Sequence, residues 1–170
     1  MKRFFAIIFI ILLSMQVQGQ EMTRLAYTSE ARIPSMQAWE LLRRAEGWVS
    51  VARKPLNFLT VSTHSVEHEL DCEVWFQDYQ PSPKIPHSYD ILFHIYITCF
   101  DGRYVVNLTD IVARVDGKSL SDYEYMTEDS SGIRGGLLGF YWRRHDRLVR
   151  SMLEEYFQMV YDSLFEVMAH

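Results

Sequence analysis

The stretch Tyr89 to Val112, YDILFHIYITCF-DG-RYVVNLTDIV, decides the fold. Two apolar runs flank Asp101-Gly102, and an Asp-Gly pair in that setting signals a tight β-hairpin. A two-residue turn there pairs Phe100 with Arg103, Cys99 with Tyr104, Ile97 with Val106 and Ile95 with Leu108. Side chains alternate along a strand. This register therefore gathers Phe93, Ile95, Ile97, Cys99, Tyr104, Val106 and Leu108 on one face, the predicted core face.

Upstream, Val66 to Gln77 also alternates. Val66, His68, Leu70, Cys72, Val74 and Phe76 share one side; Glu67, Glu69, Asp71, Glu73, Trp75 and Gln77 share the other. A loop with Pro81, Pro83 and Pro86 leads into the hairpin, so Cys72 is expected opposite Phe93 or Ile95. Leu56 to His64 reads as a further strand and Arg24 to Thr28 as a short first one. Ser35 is the expected N-cap of a helix that carries Ala38, Leu41, Leu42, Ala45 and Val49 at helical spacing. Asp116 to Gly139 has no period and contains Gly135-Gly136, which predicts an extended, partly mobile excursion over about 116–140. Arg143 to Met168 is then a long helix with Leu148, Met152, Leu153, Tyr156, Val160, Leu164 and Val167 as its apolar stripe. The order β-α-β-β-β-β-α points to an α+β domain: a curved antiparallel sheet with helices packed on one face.

The run Asp90 to Ile111 resembles the core hairpin of a family of exported bacterial proteins, a domain of unknown function found in Bacteroidetes. Ala45-Glu46-Gly47-Trp48 is similar to the Trp-bearing helix which that family places ahead of the hairpin. The resemblance covers roughly Leu25 to Val112 plus the closing helix. It implies a TATA-binding-protein-like fold and an exported location, and it implies no activity.

The first nineteen residues read as a cleaved secretory signal. Lys2 and Arg3 form the basic start, Phe4 to Leu13 is an unbroken apolar run, and Val17-Gln18-Gly19 offers small residues for cleavage. The run is shorter than the ~20 apolar residues a bilayer-spanning helix needs. The expected mature chain, 20–170, is a single domain in the periplasm or outside the cell, with no stable membrane span. Removing Lys2 and Arg3 from the 17 basic residues leaves 15 against 22 acidic ones, a formal charge of −7. Such a balance argues against nucleic acid as partner, because affinity for phosphate backbones comes from Lys and Arg. Two cysteines make no disulfide framework, and Cys72 and Cys99 are expected as buried free thiols unless a slipped register joins them.

Catalytic and metal motifs are absent from the sequence. His64 and His68 sit ~13 Å apart if both lie on a strand, too far for one ion. No Gly-x-Ser-x-Gly elbow occurs, and Gly132 to Gly139 lacks the Lys of a phosphate loop. No metal and no cofactor are therefore expected.

Two features point outward. Trp75, Leu92, His94, Tyr96, Phe100, Val105 and Ile111 fall on the solvent side of the sheet, beside Glu69, Asp71 and Glu73. Trp75, His94, Tyr96 and Phe100 are the candidate partner-binding residues, unless the excursion Asp116 to Gly139 folds over them. The start of the last helix crowds Arg143, Arg144, Arg147 and Arg150, followed by Glu154, Glu155, Asp162 and Glu166. That cluster is either a patch for an anionic partner such as lipid headgroups or a self-compensated face.

The expected function is that of an exported, non-catalytic binding module for an unknown protein or envelope ligand. The alternative is an exported hydrolase acting on cell-envelope material through Glu67, Glu69, Asp71 and Glu73. The address itself is testable. Mass spectrometry of the exported protein should find a mature N-terminus near Gln20; intact Met1 in a membrane pellet would contradict it.

Overall fold

The computed structural model describes residues 23–52, 57–80 and 86–169. The predicted signal segment and the loop prolines Pro81 and Pro83 lie outside the described residues. Six strands and two helices follow in the order β1 (Tyr27–Arg32), α1 (Ala38–Val51), β2 (Phe58–His64), β3 (Glu69–Tyr79), β4 (Tyr89–Phe100), β5 (Arg103–Val115), β6 (Lys118–Ser119) and α2 (Gly139–Ala169). The main sheet runs β1-β5-β4-β3-β2, all antiparallel, with β6 on the far half of β5. The short β6 is one strand more than the sequence predicts.

The β4–β5 hairpin carries the predicted register, Phe100 with Arg103 through Ile95 with Leu108, and Cys72 stands opposite Ile95. Gly102 takes φ 76°, a conformation open to glycine at little cost. All seven predicted core-face residues of the hairpin are buried, together with Leu70, Cys72, Val74 and Phe76 of β3. Leu41, Leu42, Ala45 and Trp48 of α1 and Val149, Leu153, Val160 and Leu164 of α2 join them in one cluster. Both helices thus cover the same side of the sheet. Cys72 and Cys99 are buried and free, and burial pushes both thiols up to about 12.

Several local expectations are corrected. Ile111 does not lie on the solvent face; it is wholly buried. Leu92 pairs with Val112 but His94 with Thr109, so Asp110 and Ile111 both oppose Phe93. This is a β-bulge, with Asp110 at φ 53°. The extra residue re-phases the alternation and sends Ile111, Ala113 and Val115 inward. His68 and Val66 leave the predicted strand for the turn between β2 and β3, where His68 takes φ 57° and Val66 is exposed. Glu67 lies in the same turn, outside the acidic row. The first strand begins three residues later than predicted, where pairing with β5 starts at Tyr27 with Leu108. Ser35 does not cap α1. The N-cap position is Gln37, without a side-chain cap, and the Asp101 carboxylate accepts from the Ala38 N–H instead (2.9 Å).

The excursion after β5 runs along the sheet edge that β1 leaves free, and its Tyr125 ring reaches the margin of the solvent face beneath the Arg24 guanidinium. Leu120 N–H donates to Ala113 O (2.9 Å), Met126 N–H to Ile111 O (2.8 Å) and Leu25 N–H to Met126 O (2.8 Å). Leu120, Met126 and Ile133 are buried in the core. Arg150 of α2 then clasps the segment from the helix side. Its guanidinium donates to the carbonyls of Thr127 (2.7 Å) and Glu128 (3.1 Å) and to buried Asp146 (2.8 Å). Arg150 is thus paired with Asp146, four residues before it on the same helix.

The two faces of the hairpin should respond unequally to truncation. Ile97→Ala empties a fully buried position and should cost about 2–5 kcal/mol in denaturant titration. Thr98→Ala, on the other face, should cost much less. Equal losses would show the faces assigned wrongly.

Candidate binding face of the sheet

The face away from the helices is built by the residues that alternate with the core. Cross-strand neighbours on it are Glu69 with Thr98, Asp71 with Tyr96, Glu73 with His94 and Trp75 with Leu92; Leu92 in turn meets Val112. The centre is a polar knot. His94 Nδ1 lies 2.8 Å from Asp71 Oδ1, and the His94 and Tyr96 rings stack at 5.5 Å and 14°. The Tyr96 hydroxyl also bonds to Asp71, and burial first, then the charges of Asp71 and Asp110, raises its pKa.

A shallow depression lies to each side of that knot. One, of about 250 Å³, has an apolar floor of Leu59, Trp75, Leu92 and Val112. Its rim holds Glu73, Asp90 and Arg114. The other, of about 460 Å³, is more polar and involves Arg24, Glu69, Tyr96, Asn107 and Asp110. There Arg24 pairs with Asp110 at 2.7 Å and lies 4.0 Å over the Tyr125 ring.

Of the predicted binding residues, the structure brings Trp75, His94 and Tyr96 together. Phe100 is set apart. It lies at the hairpin end, eight residues along β4 from Leu92, the residue opposite Trp75, or ~26 Å at strand rise. Its ring is covered by the Arg103 guanidinium at 4.1 Å. Leu59, Val112 and Arg114 are site residues that the sequence reading passed over. Val112 and Arg114 belong to the stretch re-phased by the bulge.

The acidic row of the hydrolase alternative is partly engaged by its neighbours. Asp71 is held by His94 and Tyr96, and Glu73 accepts from Thr60 Oγ1 at 3.3 Å. Among the described residues, no group of three or more His, Cys, Asp or Glu side chains is placed to hold a metal ion. No described helix is long and apolar enough to cross a membrane.

A second titratable cluster lies on the helix side, where β4 begins and β5 ends. His87 Nδ1 is 2.7 Å from Asp116 Oδ2, and the Tyr89 hydroxyl is 2.6 Å from His145 Nδ1. His145 is buried among His87, Tyr89 and Tyr141, with centroids at 4.8, 5.7 and 4.3 Å. The hydrogen bond from His87 lowers the Asp116 pKa. Burial, and then the charge on His87, lowers that of His145. The Tyr89 hydroxyl keeps its proton beside His145, since burial pushes that phenol up to about 12. These residues come from three distant stretches of the chain, 87–89, 116 and 141–145, and share no local motif.

No protein-family model matches the chain, and no curated protein matches it. Solved structures do. A DUF4468 family protein from Bacteroides ovatus is similar over 83% of this chain and 86% of its own, at 13% identity and a TM-score of 0.53. A TBP-like protein from Parabacteroides distasonis is similar over 83% and 92%, at 18% identity and a TM-score of 0.52. The fold is therefore TBP-like and shared with Bacteroidetes proteins, as the hairpin resemblance implies. At these identities the likeness concerns the fold alone.

The histidine cluster gives the fold a pH dependence. The folded His145 pKa lies below its ordinary 6.5. Its contribution is therefore complete above that value and is lost as pH falls from there towards the folded pKa. Melting temperature should drop as pH is lowered below 6.5, and His145→Gln should flatten that drop. An unchanged slope in the variant would remove His145 as its cause.

Proposed function

We propose that this chain is an exported, non-catalytic envelope protein that captures a protein or envelope ligand on its open sheet face. The observation that carries this reading is the apolar floor of Leu59, Trp75, Leu92 and Val112, which neither helix covers. A solvated sheet face ordinarily reads polar, and an apolar patch ringed by charge favours a partner. Trp75 is the natural anchor, since large aromatics in desolvated depressions dominate binding energy. Glu69, Glu73, Asp90 and Asp110 around the face disfavour nucleic acid. Export is supported by the Lys2-Arg3 start and the apolar run after it.

The hydrolase alternative draws on one observation, the Asp71–His94 contact, in which the other ring nitrogen of His94 has no hydrogen-bond partner among the described residues. The two readings part in one experiment on the mature protein. Trp75→Ala and Tyr96→Ala should leave melting temperature nearly unchanged and abolish capture of the partner in a pull-down from the native envelope. Unfolding with retained capture would end the binding reading. Turnover of envelope material that dies with Asp71→Asn would establish the hydrolase instead.

A further inference from the structure

The start of α2 carries exposed apolar and basic side chains without a partner among the described residues. Leu137, Leu138 and Phe140 are 106%, 65% and 80% exposed, so this tip stands clear of the domain. Phe140, Arg143, Arg144 and Arg147 follow at helical spacing and share one exposed face, while Trp142, His145, Asp146 and Val149 are buried on the other. Among the described residues, neither Arg143 nor Arg144 nor Arg147 makes a salt bridge or hydrogen bond, in contrast to Arg150, which is paired with Asp146. The three lie in the second and third turns of a helix that begins at Gly139, past the first turn where the dipole acts, and their charges face solvent. The basic face is also short, because Glu154 and Glu155 reverse the charge two turns on.

We propose that this tip docks the protein on an anionic lipid bilayer. Leu137, Leu138 and Phe140 enter the boundary between headgroups and acyl chains, and Arg143, Arg144 and Arg147 lie on the phosphates. The shape favours lipid over protein. A protruding apolar tip needs a groove in a rigid partner, whereas a bilayer yields around it. Arginines next to apolar side chains supply both halves of interfacial binding, attraction to negative lipid and burial of hydrocarbon. This surface is separate from the sheet face and does not rest on the role given to that face.

Co-sedimentation of the mature protein tests the proposal, with vesicles of phosphatidylcholine alone and of phosphatidylcholine mixed with phosphatidylglycerol. Binding is expected to the mixed vesicles only, weakening as salt is raised. Arg143→Glu and Arg147→Glu should each weaken it about tenfold or more; both side chains are exposed, so the changes leave the core intact. Leu137→Asp, at a position outside the core, should abolish it. No binding, equal binding to both vesicle types, or binding that survives the Arg→Glu changes would overturn the proposal. Sedimentation without vesicles that Leu137→Asp removes would also overturn it, and would make the tip a contact between copies of the chain.

Discussion

The two-residue turn at Asp101-Gly102 is the constraint from which the rest of the domain follows. Its local geometry sets the register of β4 on β5, and that register chooses the side chains that face the helices. The same turn holds the start of the chain. Ile33 N–H donates to Gly102 O (2.8 Å), Gly102 N–H donates to Met36 O (2.8 Å), and the Asp101 carboxylate takes the first orphan N–H of α1. One turn thus fixes the sheet, the link from β1 and the starting point of a helix. Satisfying a helix N-terminus from another element is as effective as a local cap, because the donor needs only an acceptor in line.

From that register the two faces diverge in chemistry. The helix side is continuous, and it holds the paired polar groups Asp146 with Arg150 and Tyr89 with His145 beside the buried Tyr104 hydroxyl, which has no hydrogen-bond partner among the described residues. The open side mixes carboxylates, a stacked His–Tyr pair and an apolar floor. Its polar knot at Asp71, His94 and Tyr96 is held together across two strands, so the depressions on either side have a rigid divider. A preformed surface of that kind loses little entropy when a ligand arrives.

Much of this was legible because it is local. The hairpin needs only a turn dipeptide and a period of two; the long helix needs only its stripe. The binding face was legible as far as simple alternation holds, through Trp75, His94 and Tyr96. It failed at Ile111, because a single residue at positive φ resets the phase and Asp110 carries no mark that announces it. The cap of α1 was misassigned to Ser35 because the true acceptor lies 63 residues away. The excursion lacks a period because Leu120, Met126 and Ile133 reach the core one by one, between polar residues held by Arg150. The His87–His145 cluster exists only once β4, β5 and α2 have met.

The bulge at Asp110 also sets a rule of parity for the chain. Removing Asp110 would restore plain alternation and leave every other side chain on its own face, because Ile111 alone would then stand opposite Phe93 and Val112 would keep its place opposite Leu92. Flattening the bulge at full length would do the opposite. Val112 and Arg114 would leave the binding face for the core, and Ile111, Ala113 and Val115 would take their places in solvent. One codon can therefore be lost at the bulge without harm to the faces, whereas a second would turn half of β5 inside out.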